Sequence, residues 1–364
     1  MPAYAHPSTR TLLLIPAIAA FAVLLSACGG SAVVPSGWPG ISSDENTAYV
    51  AFNAAVVAVD LSSGLERWRY PTQPEKNLFF YAPPALTGNG LLIVGSYNNK
   101  VYALDRESGA QVWTFEQAKG RIIGGAAATE DLALVPSADG VLYALDLKTG
   151  NPAWQFRTQD ALWAAPAVDG ERAYLGSLDH FIYAIDLSSG RQLWKTDLGQ
   201  AVVDTPTLAG EIILVGTFGK ELVAIHSADG TVVWRQPTEA WVWGSPAVQE
   251  GLAYFGDLEG NLYILNLDGE SVDGSLPLGG PVTATPAVTQ DRVFFVTREG
   301  TVYARPISSA ASPWQQPLGG QLLSEPLVHG DTLLVAALGT DTLLTALNLE
   351  SGATRWTFPP DAGK

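Results

Sequence analysis

What most constrains this chain is that it repeats itself. A short apolar phrase closed by a polar residue appears as Val56–Asp60, Val101–Asp105, Leu142–Asp146 and Ile182–Asp186. Looser copies end at His226, Asn266, Pro306 and Asn348. The closing positions are 60, 105, 146, 186, 226, 266, 306 and 348, a period near 40. A unit of that length cannot bury its own apolar face and must stack against copies of itself. Two further marks keep the same register. A tryptophan follows the phrase at Trp68, Trp113, Trp154, Trp194, Trp234, Trp314 and Trp356, and is missing from the sixth copy. A proline precedes it at Pro39, Pro84, Pro166, Pro206, Pro246, Pro286 and Pro326, with Ala126 in the remaining slot.

Each unit reads as four short strands, A to D. In the fourth unit, Ala165–Val168 predicts strand A, Ala173–Gly176 strand B, Phe181–Leu187 strand C, and the segment around Trp194 strand D. Alternation in strand C sends Tyr183 and Ile185 to one face and Ile182 and Ala184 to the other. Both sets are apolar, as in a sheet sandwiched between two neighbours. Gly64, Gly109, Gly150, Gly190, Gly230, Gly269 and Gly352 fall where the C–D turn needs a positive φ, and the Asp or Asn upstream can brace that turn. Proline is expected only at the start of strand A, where a missing N–H costs least. Eight such units in series predict an all-β, eight-bladed β-propeller of four-stranded antiparallel blades. A linear solenoid fits less well, because the first and last copies are as well formed as the middle ones. Which terminal strand closes the ring is left open at this stage.

The N-terminus carries a different kind of information. A weakly basic start is followed by an apolar run, residues 11–25, and then by Ser26-Ala27-Cys28. That is the form of an export signal, too short and too interrupted by Pro16 for a membrane span. Leu25-Ser26-Ala27-Cys28 resembles the lipobox of bacterial lipoproteins, which implies lipid on Cys28 and attachment to the cell membrane or outer membrane. The expected organisation is a signal peptide at 1–27, a linker at 28–37, the propeller at 38–358 and a tail at 359–364. Cys28 is the sole cysteine, so no internal disulfide can form. A formal net charge of −16 argues against nucleic acid or anionic lipid head groups as partners.

The Tyr-Ala-Leu-Asp phrase, the Ser/Thr-Gly turn and the tryptophan together resemble the pyrroloquinoline-quinone-type propeller repeat over nearly the whole mature chain. Within that superfamily the chain is similar to the quinoprotein dehydrogenases and to the lipoprotein subunit of the outer-membrane protein assembly machinery. The first branch would imply a quinone and calcium. Those enzymes use a Glu, Asn and Asp set, a catalytic Asp and usually an adjacent-cysteine disulfide, which this chain cannot make. The resemblance therefore carries over the fold and not the cofactor. No esterase elbow, zinc-protease motif, P-loop or Cys–His metal spacing is present in the sequence. His180, His226 and His329 occupy different positions in different units, so no metal site and no catalytic residue is assigned.

A tryptophan present once per unit reads as a packing element between blades. Residues that break the repeat are the better guide to function. The D-to-A connections carry Phe79, Phe80, Tyr81, Arg121, Trp163, Trp241 and Trp243, and the B–C turns of the same face carry Asp139, Asp179, Glu259, Glu299 and Asp341. The candidate binding rim is accordingly Phe80, Tyr81, Arg121, Trp163, Trp241 and Trp243. These rings either hold a peptide, a sugar or a strand edge, the expected partner being a protein or peptide at the cell envelope, or plug the central channel. A scaffold or binding module is the expected function, and a quinone- or sugar-handling enzyme or sensor is the alternative.

Overall fold

The computed structural model describes residues 38–307 and 311–360; the signal segment, Cys28 and the linker lie outside the described residues. The described chain is all strand and turn, and its strands form eight separate four-stranded antiparallel sheets, the blades of a propeller. They span residues 40–70, 85–115, 127–157, 167–197, 207–237, 247–277, 287–317 and 327–358. In the fourth blade the strands are Ala167–Asp169, Arg172–Gly176, Phe181–Asp186 and Gln192–Asp197, close to the expected segments. The short A strands touch one another from blade to blade and so ring the central axis, leaving D outermost.

The core is divided among the seams between blades. Tyr183 and Ile185 pack with Leu134, Leu142 and Ala144 of the third blade. Ile182 and Ala184 pack with Ile213, Val215 and Val223 of the fifth. Strand C is thus apolar on both faces because both faces are interfaces.

The repeat tryptophans and turn glycines turn out to be two halves of one latch. Trp154 pairs with Ala144 across its own blade, then lays its ring on the C–D turn of the next. Its Nε1–H donates to the Leu187 carbonyl at 2.8 Å. A Cβ built on Gly190 would lie 2.7 Å from that ring, and Gly190 has a φ of 69°, so glycine is required twice over. The same ring-on-glycine contact joins Trp68 to Gly109, Trp113 to Gly150, Trp194 to Gly230, Trp234 to Gly269, Trp314 to Gly352 and Trp356 to Gly64. Asp60, Asp105, Asp146 and Asp186 hold the turns by accepting backbone N–H groups, and bonds from the nearby Ser or Thr hydroxyls, joined by Arg67 at Asp60 and by the backbone N–H groups, hold each carboxyl below the usual range.

The blade without a tryptophan differs at the paired position of strand C as well. There Ile264 replaces the small alanine of the other C strands and pairs with Asp273, the position where the other blades place the ring. Ala310 stands where the following turn would carry glycine. Latch tryptophan, latch glycine and cross-strand alanine are lost together, as expected if they serve one contact.

No strand is shared between the chain ends. The first blade is wholly N-terminal and the eighth wholly C-terminal, and the ring closes through side chains. Trp356 Nε1 donates to the Leu61 carbonyl at 2.9 Å, Ser324 Oγ donates to the Pro39 carbonyl, and Leu334, Leu344 and Ala346 pack with Val50, Val57 and Val59. Prolines do precede seven A strands, but they are not confined there. Pro237, Pro277 and Pro317 end D strands, Pro152 begins one, and Pro136 and Pro306 end a B and a C strand. At a strand terminus or an outer edge the ladder needs no N–H, so these positions tolerate proline equally well.

Candidate functional site

The D-to-A connections and the B–C turns do share one face of the propeller. A residue in the B–C turn, one or two past the end of strand B, donates its N–H to the connection leading into the same blade: Tyr97 to Phe79, Ala138 to Arg121, Leu178 to Ala161, Phe218 to Ala201 and Leu258 to Trp241, at 2.9–3.1 Å. One residue further along each connection, a side chain turns in between two blades. Phe80, Ile122, Leu162, Val202, Val242, Val282 and Leu322 fill that position, none more than 1% exposed. The next residue turns out again, toward the axis.

This alternation sorts the expected rim. Phe80 is not part of it: the ring is fully buried and packs against Tyr70 and Tyr102. Its register, one residue off that of Trp163 and Trp243, puts it in the plug position. Tyr81 is in the outward register but nearly covered, its ring centroid 4.0 Å from that of Tyr97. Arg121 lies over the Tyr97 ring, with Cζ 5.2 Å from its centroid, and is exposed. Trp163 is half-buried, its backbone against Gly124.

Trp241 and Trp243 are brought together by a residue that the repeat did not single out. Phe218, on the preceding blade's B–C turn, stacks on Trp241 at 4.7 Å and 14° and meets Trp243 at 5.2 Å. Trp243 in turn meets Trp38 at 5.3 Å and 55°. Trp38 leads into the first blade and Trp243 into the sixth, three blades apart round the ring, so this contact spans the channel mouth rather than following its wall. Trp38 is 36% exposed, and Trp241, Trp243 and Phe218 are half-buried. Aligning the units on the B-strand glycine, Gly95 and Gly216, would have revealed Phe218 in the slot of Tyr97, and aligning them on the strand-A proline puts Trp38 in a slot filled elsewhere by Ala165, Thr205, Ser245, Thr285 and Glu325.

The acidic turns divide into two kinds. Asp139 and Asp179 are half-buried braces, each accepting from a tyrosine hydroxyl, Tyr143 or Tyr183, and from backbone N–H groups. Glu259, Glu299 and Asp341 are exposed and leave the face negative on the side of the sixth to eighth blades. Two more carboxylates, Asp204 and Glu325, stand just before innermost strands. Asp204 Oδ2 accepts the Ser245 N–H at 2.9 Å and its Oδ1 the Thr205 N–H at 2.8 Å. Glu325 is open to water, yet desolvation by the surrounding wall and the charge of Asp204 push its carboxyl up to about 7. Burial likewise raises Asp204. The two lead into the fifth and eighth blades, and the charge of Asp204 is felt at Glu325.

A quinone with calcium would need a converging set of carboxylate and amide donors. Among the described residues no group of three or more His, Cys, Asp or Glu is arranged to hold a metal ion. In the channel Asp204 already accepts the Ser245 and Thr205 N–H groups.

The fold and this face define a repeat propeller of the quinoprotein type whose distinctive surface is an aromatic channel mouth. The sequence matches the family described as outer membrane protein assembly factor BamB over residues 52–177, 138–282 and 271–363, and the chain belongs to that family. Solved structures with the same fold include BamB from Moraxella catarrhalis, 21% identical, covering 72% of this chain and 82% of that one at a TM-score of 0.61. The computationally designed Ika8 protein aligns at a TM-score of 0.74 with 13% identity, over 86% of this chain and 96% of its own. A europium-containing methanol dehydrogenase aligns at 0.67 with 16% identity, over 82% and 81%. These identities speak for the fold alone. No curated protein matches the sequence.

Proposed function

We propose that this protein is an exported scaffold, lipid-anchored through Cys28, that docks protein partners on the channel-mouth face during assembly at the cell envelope. The observation that carries the reading is the placement of large rings where packing does not ask for them. Trp241 occupies the slot of Ala161 and Ala201, and Trp243 that of Val203 and Thr283. Neighbouring blades manage with small residues there, so the rings are surplus to the fold. Rigid aromatics that keep part of their surface open are the side chains that dominate protein interfaces. Membership of an assembly-factor family supports a role in holding other proteins, and the N-terminal signal supports export. On this reading the protein works without pyrroloquinoline quinone or another bound cofactor, a reading supported by the lack of a second cysteine for the adjacent-cysteine disulfide usual in the dehydrogenases.

The test is photo-crosslinking in cells. A photoreactive residue at position 163, on the rim, should give discrete crosslinks to envelope proteins, and one at position 268, in a C–D turn, should give none. Equal crosslinking from both positions would remove the channel-mouth face from the account.

A further inference from the structure

The sixth blade anchors its channel-mouth connection differently from its neighbours, and the difference falls beside the aromatic stack. The position where strand B gives way to its turn carries a hydroxyl in five blades, as Ser96, Ser137, Ser177, Thr217 and Thr297. In the sixth blade it is Asp257, which is fully buried. A polar group at that depth is tolerated only when its hydrogen-bonding capacity is met. Here both oxygens are used. Oδ1 accepts the Glu259 and Asn261 N–H groups at 3.0 and 2.9 Å, and Oδ2 accepts the Tyr263 hydroxyl at 2.9 Å and the Ala240 N–H at 3.2 Å. Asn261 Nδ2 donates to both oxygens.

The bond to Ala240 is the telling one. In the third and fourth blades the brace comes from an acid two residues further along the turn. Asp139 accepts the Lys119 N–H and Asp179 the Gln159 N–H, each two residues short of the slot that Trp241 fills in the sixth blade. There the matching N–H, of Glu239, is met by the Tyr263 hydroxyl oxygen at 3.0 Å, and Glu259, in the slot of Asp139 and Asp179, stands exposed. Asp257 takes hold one residue nearer the ring. Thr238 Oγ1 donates to the Ala240 carbonyl at 2.7 Å, so Ala240 is held at both its N–H and its C=O. Trp241 comes next, its carbonyl accepting the Leu258 N–H at 3.1 Å and its indole stacked on Phe218.

From this arrangement we infer that Asp257 is the positioning residue of the docking platform. Its buried oxygen fixes the backbone at Ala240, so that the half-buried Trp241 indole lies flat on Phe218 and stays presented to the partner. The inference rests on the docking reading above and names the group that keeps the aromatic surface in place. Hydroxyls satisfy the same position in other blades, so the fold itself does not call for an acid there. A ring already held in place loses little freedom when a partner covers it, which strengthens it as an interface anchor.

The experiment places 4-fluorophenylalanine at position 218, where the ring current of the stacked indole shifts the fluorine resonance. Trp241→Ala supplies the reference for an unstacked ring. Asp257→Ser installs the hydroxyl of the other blades, and Asp257→Asn keeps an oxygen for the turn while setting an amide N–H₂ against Ala240. Both should move the resonance most of the way to the reference and lower the crosslinking yield from position 163 about tenfold. Asp169→Ser, which removes a tyrosine-bonded brace on the opposite face, should leave both readouts unchanged. Circular dichroism melting confirms that each variant is folded at the temperature of measurement. A resonance that keeps its wild-type position in both folded Asp257 variants overturns the inference, and so does a shifted resonance with undiminished crosslinking. If the wild type itself gives no crosslinks, the docking reading falls, while the fluorine shift still decides whether Asp257 holds the stack.

Discussion

The latch between blades makes a prediction that contact lists alone would not. Trp154 and Gly190 lie on different blades, and each is shaped for the other. Trp154→Ala removes the bond to the Leu187 carbonyl, about 1 kcal/mol, and a half-buried ring, about 2 kcal/mol after scaling the cost of a full core truncation. Gly190→Ala puts a side chain at a positive φ, about 1 kcal/mol, and drives its Cβ to 2.7 Å from the indole, about 2 kcal/mol more of overpacking. Independent sites would add to about 6 kcal/mol in the double variant. Once the indole is gone the alanine meets nothing, so the account predicts about 4 kcal/mol and a coupling of about 2 kcal/mol. Urea unfolding of the four proteins of the cycle, with coincident fluorescence and far-ultraviolet transitions as the check on two-state behaviour, measures it. Additivity to within about 0.5 kcal/mol would show that the glycine is there for its turn alone.

Three further outcomes follow. Cys28→Ser should release the protein from membranes or leave it unprocessed, and wild type should label with fatty acid; unchanged fractionation without label would remove the anchor. The raised carboxyl of Glu325 contributes stability below the ordinary carboxylate range that is lost as pH climbs through about 7. Glu325→Gln should therefore raise stability at pH 8, by about 1 kcal/mol after allowing for water in the channel, and change little near pH 4, as melting curves at both pH values would show. Purified protein given pyrroloquinoline quinone and calcium should oxidise no alcohol or sugar, and quinone-dependent turnover would replace the scaffold reading with an enzymatic one.

The fold was legible in the sequence because every blade solves the same packing problem with the same residues. Eight copies of one phrase, seven tryptophans and their glycines repeat a local rule, and the structure repeats the corresponding contact. The face of the site was legible too, since strand direction alone places D-to-A connections beside B–C turns. Phe80 was misplaced because in an extended connection a shift of one residue exchanges the outward and the buried side. The contact of Trp38 with Trp243, and the influence of Asp204 on Glu325, were not legible. Each joins residues three blades apart, and such partners meet only once the ring has closed and its diameter is set.

The claim on which the account turns is that the channel-mouth rings serve a partner and not the fold. Trp243→Ala and Trp154→Ala, compared for melting temperature and for recovery of envelope assembly proteins from detergent-solubilised membranes, separate the two roles. The account predicts that Trp243→Ala keeps a melting temperature within a few degrees of wild type and loses recovery, whereas Trp154→Ala melts clearly lower and still recovers its partners where it is folded. A Trp243→Ala protein that melts as low as Trp154→Ala while retaining full recovery would contradict it, and would make the aromatic mouth a plug.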